Sequence, residues 1–302
     1  MKIAILGTGF IGLNLLDFAI KKGFFVSVLS HHPCPKKYDK PSIKWICGDL
    51  KNASDVYEVL FESDIVYDLI SNSVPGDLMS VSKDLFENVS YTLQLLEICT
   101  KCNIKQIIFT SSSSIYGDQK NIPISETSLP NPISSHAIQK ITLEYYIKLY
   151  SRNHNLKSKI VRLSNPYGPG QNIYGRQGFI AIVFGQAIRG SSVLIRGDGE
   201  TVRDYIYIDD VIDYLIELPY IKTNEITFNI GSGIGYSLNQ VVNKIEILMD
   251  RKIKCKFEKK RTVDIAKSIL DVNKTNIIIQ NKPLIDMDQG LRKFLSFIQS
   301  GL

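Results

Sequence analysis

Two ionisable side chains with matched spacing stand out near the middle of the chain. His136 and Lys140 are four residues apart on a segment with a helical pattern, so both side chains share one helix face. Ser112 lies upstream, directly after a run of residues that predicts a strand. An imidazole is a competent base near neutral pH, and a neighbouring ammonium would lower its pKa and keep it neutral. These residues therefore predict a site that moves a proton.

A glycine-rich segment near the start of the chain predicts a dinucleotide site. Gly7, Gly9 and Gly12 follow a predicted strand and open a predicted helix. The first glycine permits a tight turn, the second lets the backbone approach a pyrophosphate, and the third lets the helix pack on the strand. The phosphates would then lie at the helix N-terminus, against the backbone amides around Phe10 and Ile11.

The choice between the two nicotinamide dinucleotides depends on the end of the second predicted strand. That strand ends at Ser30 and His31, without a carboxylate to bind a ribose 2′-hydroxyl. Ser30, His31 and the nearby Lys36 are neutral or basic and would not repel a 2′-phosphate. The sequence therefore permits NAD or NADP.

β-Branched runs alternate with amphipathic helical stretches through the first half of the chain. This alternation predicts right-handed crossovers and an α/β fold with a doubly wound parallel sheet. Ligands of such sheets bind beyond the carboxyl ends of the strands. The predicted strands are residues 3–6, 25–29, 43–46, 65–69, 106–110 and 159–163, and the clearest predicted helices are residues 82–100 and 138–150.

The alternation becomes irregular after the strand at 159–163, where proline and glycine break regular structure. We expect a dinucleotide-binding domain over residues 1–165, with residues 204–231 returning to it. Residues 166–203 and 232–302 are expected to form a smaller C-terminal α/β part that binds the substrate.

Composition limits the classes of partner. Lys plus Arg outnumber Asp plus Glu by 36 to 30, which favours anionic ligands. The basic residues are scattered and lack interleaved aromatics, so we expect nucleotide diphosphates and no nucleic acid. No apolar run is long enough to span a membrane, and five cysteines without framework spacing indicate a reducing, cytoplasmic location. The segment from His31 to Cys34 lies in a proline-broken loop, so we expect no metal site.

The segment from Ser111 to Gly117, the helix with His136 and Lys140, and the glycine loop together resemble the extended short-chain dehydrogenase/reductases. Within them the chain is similar to the NAD-dependent epimerase/dehydratase family, of the UDP-glucose 4-epimerase type. The resemblance implies a Rossmann-type fold, NAD in preference to NADP, and a homodimer formed through the helices that carry Asn88 and His136. It also implies cofactor contacts at Asp49, Leu50, Ser71, Asn88 and Lys140.

Motifs in the second half extend the resemblance along nearly the whole chain. The segment from Asn165 to Pro169 and the segment from Gly197 to Val211 match the family in order and spacing, as does the pattern of Arg261 with Asp264. The resemblance implies that Asn165, Arg203 and Arg261 bind the diphosphate of a nucleotide diphosphate sugar, a task suited to planar guanidinium groups.

The chain departs from the family pattern at two ionisable positions. His136 stands where the family keeps a tyrosine, and Asp68 stands where it commonly has a histidine. Tyr116 and Lys120 also satisfy the family's Tyr-x-x-x-Lys spacing, but Tyr116 belongs to the strand-end segment, so we assign the role to His136. A buried Asp68 would need a partner or a raised pKa.

These residues favour a nucleotide-sugar epimerase that oxidises a sugar hydroxyl, most simply at C4. His136 would be the base, Ser112 would hold the hydroxyl, and Lys140 would be the electrostatic partner. Related dehydratases place acidic residues directly after the active-site hydroxyl, where this chain has Ser113 and Ser114. Two alternatives remain: a nucleotide-sugar dehydrogenase or ketosugar reductase, and a cofactor- and sugar-nucleotide-binding protein with little catalysis.

Overall fold

Strands and helices alternate through the first half of the protein. The computed structural model describes residues 1–71, 81–261, 265–279 and 284–301, except for the side chain of Asp84. The strands are β1 (Lys2–Leu6), β2 (Phe25–Ser30), β3 (Ile43–Cys47), β4 (Ile65–Asp68), β5 (Gln106–Ser112), β6 (Lys157–Leu163), β7 (Asn165–Tyr167), β8 (Val193–Arg196), β9 (Val202–Tyr207), β10 (Thr227–Ile230), β11 (Gly235–Ser237), β12 (Cys255–Glu258) and β13 (Lys267–Ser268). The α-helices are α1 (Phe10–Lys21), α2 (Ala53–Leu60), α3 (Val81–Lys101), α4 (Ser135–Asn153), α5 (Phe179–Arg189), α6 (Ile208–Glu217), α7 (Leu238–Met249), α8 (Asn273–Ile279) and α9 (Met287–Ser300).

The central sheet has seven strands in the order β10-β6-β5-β4-β1-β2-β3. Neighbouring strands from β3 to β5 pair in parallel. The strand order reverses direction between β1 and β4, and the carboxyl ends of strands at such a reversal form the crevice where ligands bind. The predicted doubly wound α/β fold is confirmed.

The inner strands are buried on both faces, as parallel sheets covered by helices require. All four residues of β4 are buried, as are the last four residues of β1. Apolar side chains of α2, α3 and α4 pack in the same core cluster as residues from these strands. Among the helices that the structure describes, none has the length and apolar character needed to cross a membrane.

The chain divides into two compact units. Unit 1 comprises Met1–Ile115, Pro132–Arg162 and Leu215–Phe228, and unit 2 comprises Tyr116–Asn131, Leu163–Tyr214 and Asn229–Leu302. These boundaries differ from the expected domains, which placed 204–231 with the central sheet. The reason is strand pairing: β9 pairs with β7, β11 and β13, and within that range only β10 joins the central sheet.

A buried ion pair fixes α4 to the sheet of unit 1. The Glu144 carboxylate has no exposed surface and accepts hydrogen bonds from Ser111 Oγ of β5 at 2.6 Å and from Arg162 Nη2 of β6 at 2.8 Å. Arg162 Nε makes a further contact of 3.1 Å to the same carboxylate. Charged, two-pronged hydrogen bonds of this kind are directional as well as strong. They hold the helix face that carries His136 and Lys140 at one position on the sheet.

Replacing Glu144 with alanine removes the carboxylate that compensates a buried guanidinium, and we expect the free energy of unfolding to fall by about 3–5 kcal/mol. Chemical denaturation of the purified protein measures this loss. The control is Glu62→Ala, because Glu62 pairs with Lys2 at 2.7 Å on the exposed surface of the same unit, where an ion pair contributes little. Equal effects of the two substitutions would contradict the assignment of Glu144.

Candidate functional site

The three glycines between β1 and α1 have different roles: two are required by the fold, and one borders open space. Gly7 has a φ of +97°, and a Cβ on Gly12 would lie 2.0 Å from the Gly7 carbonyl oxygen, so neither position accepts a side chain. A Cβ on Gly9 would meet nothing within 4 Å. The loop therefore keeps open space beside the N-terminus of α1, which is the cradle that a pyrophosphate requires.

Residues at the ends of β2 and β3 come together beside this loop. Ser30 is buried, and its Oγ lies 2.7 Å from Thr8 Oγ1 and accepts a hydrogen bond from the His32 amide. The exposed His31 Nε2 lies 3.7 Å from Asp49 Oδ1. Burial alone would raise the pKa of Asp49, but hydrogen bonds from Lys51 and the charge of His31 lower it overall. A carboxylate thus reaches the end of β2 from the neighbouring strand.

Two other predicted cofactor contacts lie at the same edge of the sheet. Leu50 is buried in the core of unit 1, and its carbonyl accepts a hydrogen bond from Gln94 at 2.8 Å. Ser71 is exposed, three residues beyond the end of β4. The predicted contacts therefore follow the carboxyl ends of β1 to β4, although their binding of a cofactor stays a prediction.

The predicted proton-transfer residues lie on β5 and α4. Ser112 is the last residue of β5, with its Oγ 2.8 Å from Ser114 Oγ. His136 is buried in the first turn of α4, two residues after the N-cap Ser134, whose side chain accepts a hydrogen bond from the Ala137 amide. Packing of α4 on β5 places both residues in unit 1.

Lys140 points inward, towards the backbone of β5. Its Nζ donates a hydrogen bond to the Thr110 carbonyl at 2.8 Å and lies 4.8 Å from the centre of the Phe109 ring. Burial lowers the pKa of Lys140 to about 8, against the opposing influence of the Asp68 and Glu144 charges. The amine thus binds β5 two residues before Ser112. Nearby carboxylates favour its charged form.

Asn88 connects α3 to the first turns of α4. Its Nδ2 donates to Gln139 Oε1 at 2.6 Å, and Gln139 Nε2 donates to Ser135 Oγ at 3.0 Å. The hydrogen bond between Asn88 and Gln139 therefore ties α3 to α4 one residue before Lys140. Whether Asn88 also contacts a cofactor stays a prediction.

Tyr116, which with Lys120 also fits the Tyr-x-x-x-Lys spacing, is part of the packed interior of unit 2. It is fully buried, and its hydroxyl donates to Asn229 Oδ1 at 2.7 Å. The Asn229 amide donates in turn to the carbonyls of Ile124 and Asp271. These bonds tie residues 116–131 into unit 2 and give the Tyr116 hydroxyl a structural partner, whereas the assignment of proton transfer to His136 stays a prediction.

Unit 2 contains a cavity of about 250 Å³ that brings the three predicted phosphate ligands together. Asn165, Arg203 and Arg261 all line it, and none of the described lining residues is acidic. Asn165 Nδ2 donates to the Asp204 carbonyl, and Arg203 Nη1 donates to the Val202 carbonyl, both at 2.8 Å. Asp264, the other residue of the Arg261 pattern, lies outside the described residues. The lining of the cavity therefore carries positive charge from Arg203 and Arg261, and its binding of a diphosphate stays a prediction.

A third arginine, which the sequence analysis missed, lines the same cavity. In β8, Val193 and Ile195 are buried, whereas Leu194 and Arg196 are exposed and line the cavity. Two-residue alternation in this short strand was the available signal, because it places Leu194 and Arg196 on one face. Across the residues that the structure describes, no group of three or more His, Cys, Asp or Glu side chains could hold a metal ion.

Comparison with known proteins identifies the family. The family described as NAD dependent epimerase/dehydratase matches residues 3–231. The UDP-glucose 4-epimerase of Mycolicibacterium smegmatis is 26% identical over 302 residues, covering 97% of this chain and 96% of the relative. The dTDP-4-dehydro-6-deoxyglucose reductase of Escherichia coli is 30% identical over 221 residues, covering 73% of this chain and 70% of the relative.

A solved structure extends the similarity over the whole length. The UDP-glucose 4-epimerase of Thermotoga maritima, crystallised with UDP-glucose, superposes with a TM-score of 0.92 at 30% identity, covering 100% of this chain and 99% of that one. The chain, with its glycine loop, its β5–α4 residues and its arginine-lined cavity, belongs to the NAD dependent epimerase/dehydratase family.

Proposed function

We propose that the protein is an NAD-dependent nucleotide-sugar epimerase that inverts the configuration at C4 of the sugar. The observation that carries this proposal is the buried face of α4, where His136 lies one turn before Lys140, whose amine binds the Thr110 carbonyl of β5. Similarity along the whole chain to UDP-glucose 4-epimerases supports the reaction and the class of substrate.

The open space at Gly9 and the N-terminus of α1 fit the pyrophosphate of a dinucleotide, and the family description supports NAD. When bound, NAD would accept a hydride from the sugar carbon and return it to the opposite face. His136 takes the proton from the sugar hydroxyl and later gives it back. Ser112 hydrogen-bonds the same oxygen, and the Lys140 ammonium favours the neutral imidazole that can accept the proton.

The arginine-lined cavity of unit 2 is assigned to the diphosphate of the substrate. A nucleotide diphosphate sugar carries two phosphate charges, and planar guanidinium groups bind such oxygens in pairs. Apolar side chains also line this cavity, among them Phe179, Ile180, Leu194 and Leu238. They suit a flat nucleobase beside the charged groups.

A ketosugar reductase is the second candidate, because the E. coli relative of that activity shares 30% identity over most of this chain. The same residues would then deliver a proton to a ketone, and the reduced cofactor would supply the hydride and be oxidised in each turnover. Net turnover of free cofactor distinguishes the two reactions, since an epimerase returns the hydride in each cycle.

Homodimerisation stays a proposal from the family resemblance. Helices α3 and α4 expose apolar side chains that a second copy would cover, namely Leu85, Phe86, Ile138, Tyr145 and Leu149. The mass of the purified protein in light scattering decides between monomer and dimer.

Removing the imidazole tests the proposed base. His136→Ala should lower kcat for UDP-glucose epimerisation by about 100- to 10,000-fold, the usual contribution of a general base. The product can be quantified by chromatography of the sugar nucleotides. The control is His154→Ala, which changes a histidine at the opposite end of the same helix. Unchanged turnover in His136→Ala would exclude the assigned base.

Restoring the family's tyrosine at position 136 tests whether the native histidine limits catalysis. His136→Tyr should lower turnover if histidine is a dedicated base, because a phenol oxygen reaches roughly 2 Å further than the ring nitrogen and such misplacement is costly. A large gain would instead mark the protein as a binding protein with little native catalysis.

Arginine substitutions test the phosphate cavity. Arg203→Ala and Arg196→Ala should each raise the KM for the sugar nucleotide by about 10- to 100-fold, because each removes a charged hydrogen-bond donor. The control is Arg189→Ala, which removes the same charge from α5 of unit 2 but does not line the cavity. An Arg196 variant that behaves like this control would exclude Arg196 from binding.

Glycine substitutions separate cofactor binding from folding. Gly9→Ala should preserve stability, because Gly9 has a φ of −73° and open space around its Cβ position, but should weaken NAD binding by filling that space. Gly12→Ala should instead destabilise the protein, because its Cβ would collide with the Gly7 carbonyl oxygen. Calorimetric titration with NAD and with NADP measures affinity and preference together. Wild-type affinity in Gly9→Ala would contradict the assigned pyrophosphate position.

A further inference from the structure

Asp68 is a buried carboxyl that the proposed function leaves unused. It is the last residue of β4 and only 2% exposed. Its Oδ1 accepts a hydrogen bond from the Ile70 amide at 3.3 Å. A buried carboxylate is costly unless a positive charge or hydrogen bonds compensate it, so its place at the carboxyl edge of the sheet needs a physical reason.

The register of the sheet places Asp68 beside Phe109, the residue whose ring Lys140 covers. Asp68 is paired with Phe109 of β5, so the two side chains project from the same face of the sheet. The Lys140 amine lies over the Phe109 ring and donates to the Thr110 carbonyl. Thr110 Oγ1 donates back to the Asp68 carbonyl at 3.0 Å. The amine of α4 is thus enclosed by consecutive residues of β5 and by the end of β4.

Two further ionisable groups interact with this pair electrostatically, Glu144 with Lys140 and Cys99 with Asp68, and His136 lies one turn before Lys140 on α4. Glu144, one turn along α4, is bound by Arg162 of β6 and by Ser111, and lies 3.7 Å from Lys148 Nζ. From α3, Cys99 faces Asp68, and burial followed by the Asp68 charge raises the pKa of its thiol, which stays protonated. Asp68 is therefore the anion whose charge is directed mainly at Lys140.

We propose that Asp68 is a positioning residue that keeps the Lys140 ammonium charged and holds it against the end of β5. The role of the charged lysine beside His136 rests on the proposed function. The interaction of Asp68 with Lys140 does not, because it is a property of unit 1 alone.

The titration behaviour of the two groups agrees with the geometry. Burial raises the pKa of Asp68 to about 6 and lowers that of Lys140 to about 8, and in each case the charge of the other residue opposes the effect of burial. Each group therefore stabilises the charged form of the other.

Direct titration of Lys140 tests the proposal. The full-length protein labelled with ¹³C at the lysine ε-carbon gives a pH-dependent NMR signal for this residue, which Lys140→Arg assigns by its disappearance. Asp68→Asn keeps an oxygen to accept the Ile70 hydrogen bond but removes the charge. We expect it to lower the pKa of Lys140 by about one to three pH units.

Two further variants separate charge from structure. Asp68→Glu restores the carboxylate and should return the Lys140 titration most of the way to that of the wild type. Asp64→Asn removes a carboxylate just before β4 that pairs with Lys105 on the surface, and should leave Lys140 unchanged. In kinetics, Asp68→Asn should move the alkaline limb of kcat to lower pH, with little change in KM.

An unchanged Lys140 titration in folded Asp68→Asn would overturn the proposal. If that variant does not fold, the wild-type protein still decides, because the Lys140 signal should show a second inflection where Asp68 titrates, and its absence would overturn the proposal equally. A shifted Lys140 titration in a protein that epimerises no sugar nucleotide would refute the proposed function while leaving the Asp68–Lys140 interaction established.

Discussion

The attachment of α4 to the sheet depends on one buried carboxylate. Glu144 binds Ser111 and Arg162 on two neighbouring strands, so the helix can neither slide nor rotate without breaking charged hydrogen bonds in the core. His136 and Lys140 lie two turns and one turn before Glu144 on the same helix, and their positions follow from that attachment. The site is therefore only as well ordered as the Glu144 contacts.

Ionisable side chains at spacing i, i+4 give α4 an unusual buried face. His136, Lys140 and Glu144 are all buried, although most charged residues of globular proteins are exposed. Neighbouring strands supply partners for two of them: the Thr110 carbonyl accepts a hydrogen bond from Lys140, and Ser111 and Arg162 bind Glu144. Burial lowers the pKa of Lys140 and neighbouring carboxylates oppose that shift, so its protonation depends on its neighbours.

Unit 2 gathers charges of one sign in its cavity. Its cavity gathers Arg196, Arg203 and Arg261 without an acidic lining residue among those described, so its lining carries positive charge. The backbone bonds of Arg203 and Asn165 hold these side chains in advance of binding. Glu144 of unit 1 is thus compensated by Arg162, whereas the cavity of unit 2 is lined by three arginines, to which we assign the substrate diphosphate in the proposed function.

The sequence by itself determined the features that are local in the chain. Alternating apolar runs located β1 to β6 within about two residues, because burial on a parallel sheet requires such runs. The spacing of Gly7, Gly9 and Gly12 predicted the loop, and the spacing of His136 and Lys140 predicted a shared helix face. Only the tertiary structure decided which distant residues meet. It placed β9 in a separate sheet, Arg196 in the cavity, Asp49 beside His31, and Asp68 next to Phe109, whose ring Lys140 covers. These contacts depend on strand order and register, which no local pattern in the sequence specifies.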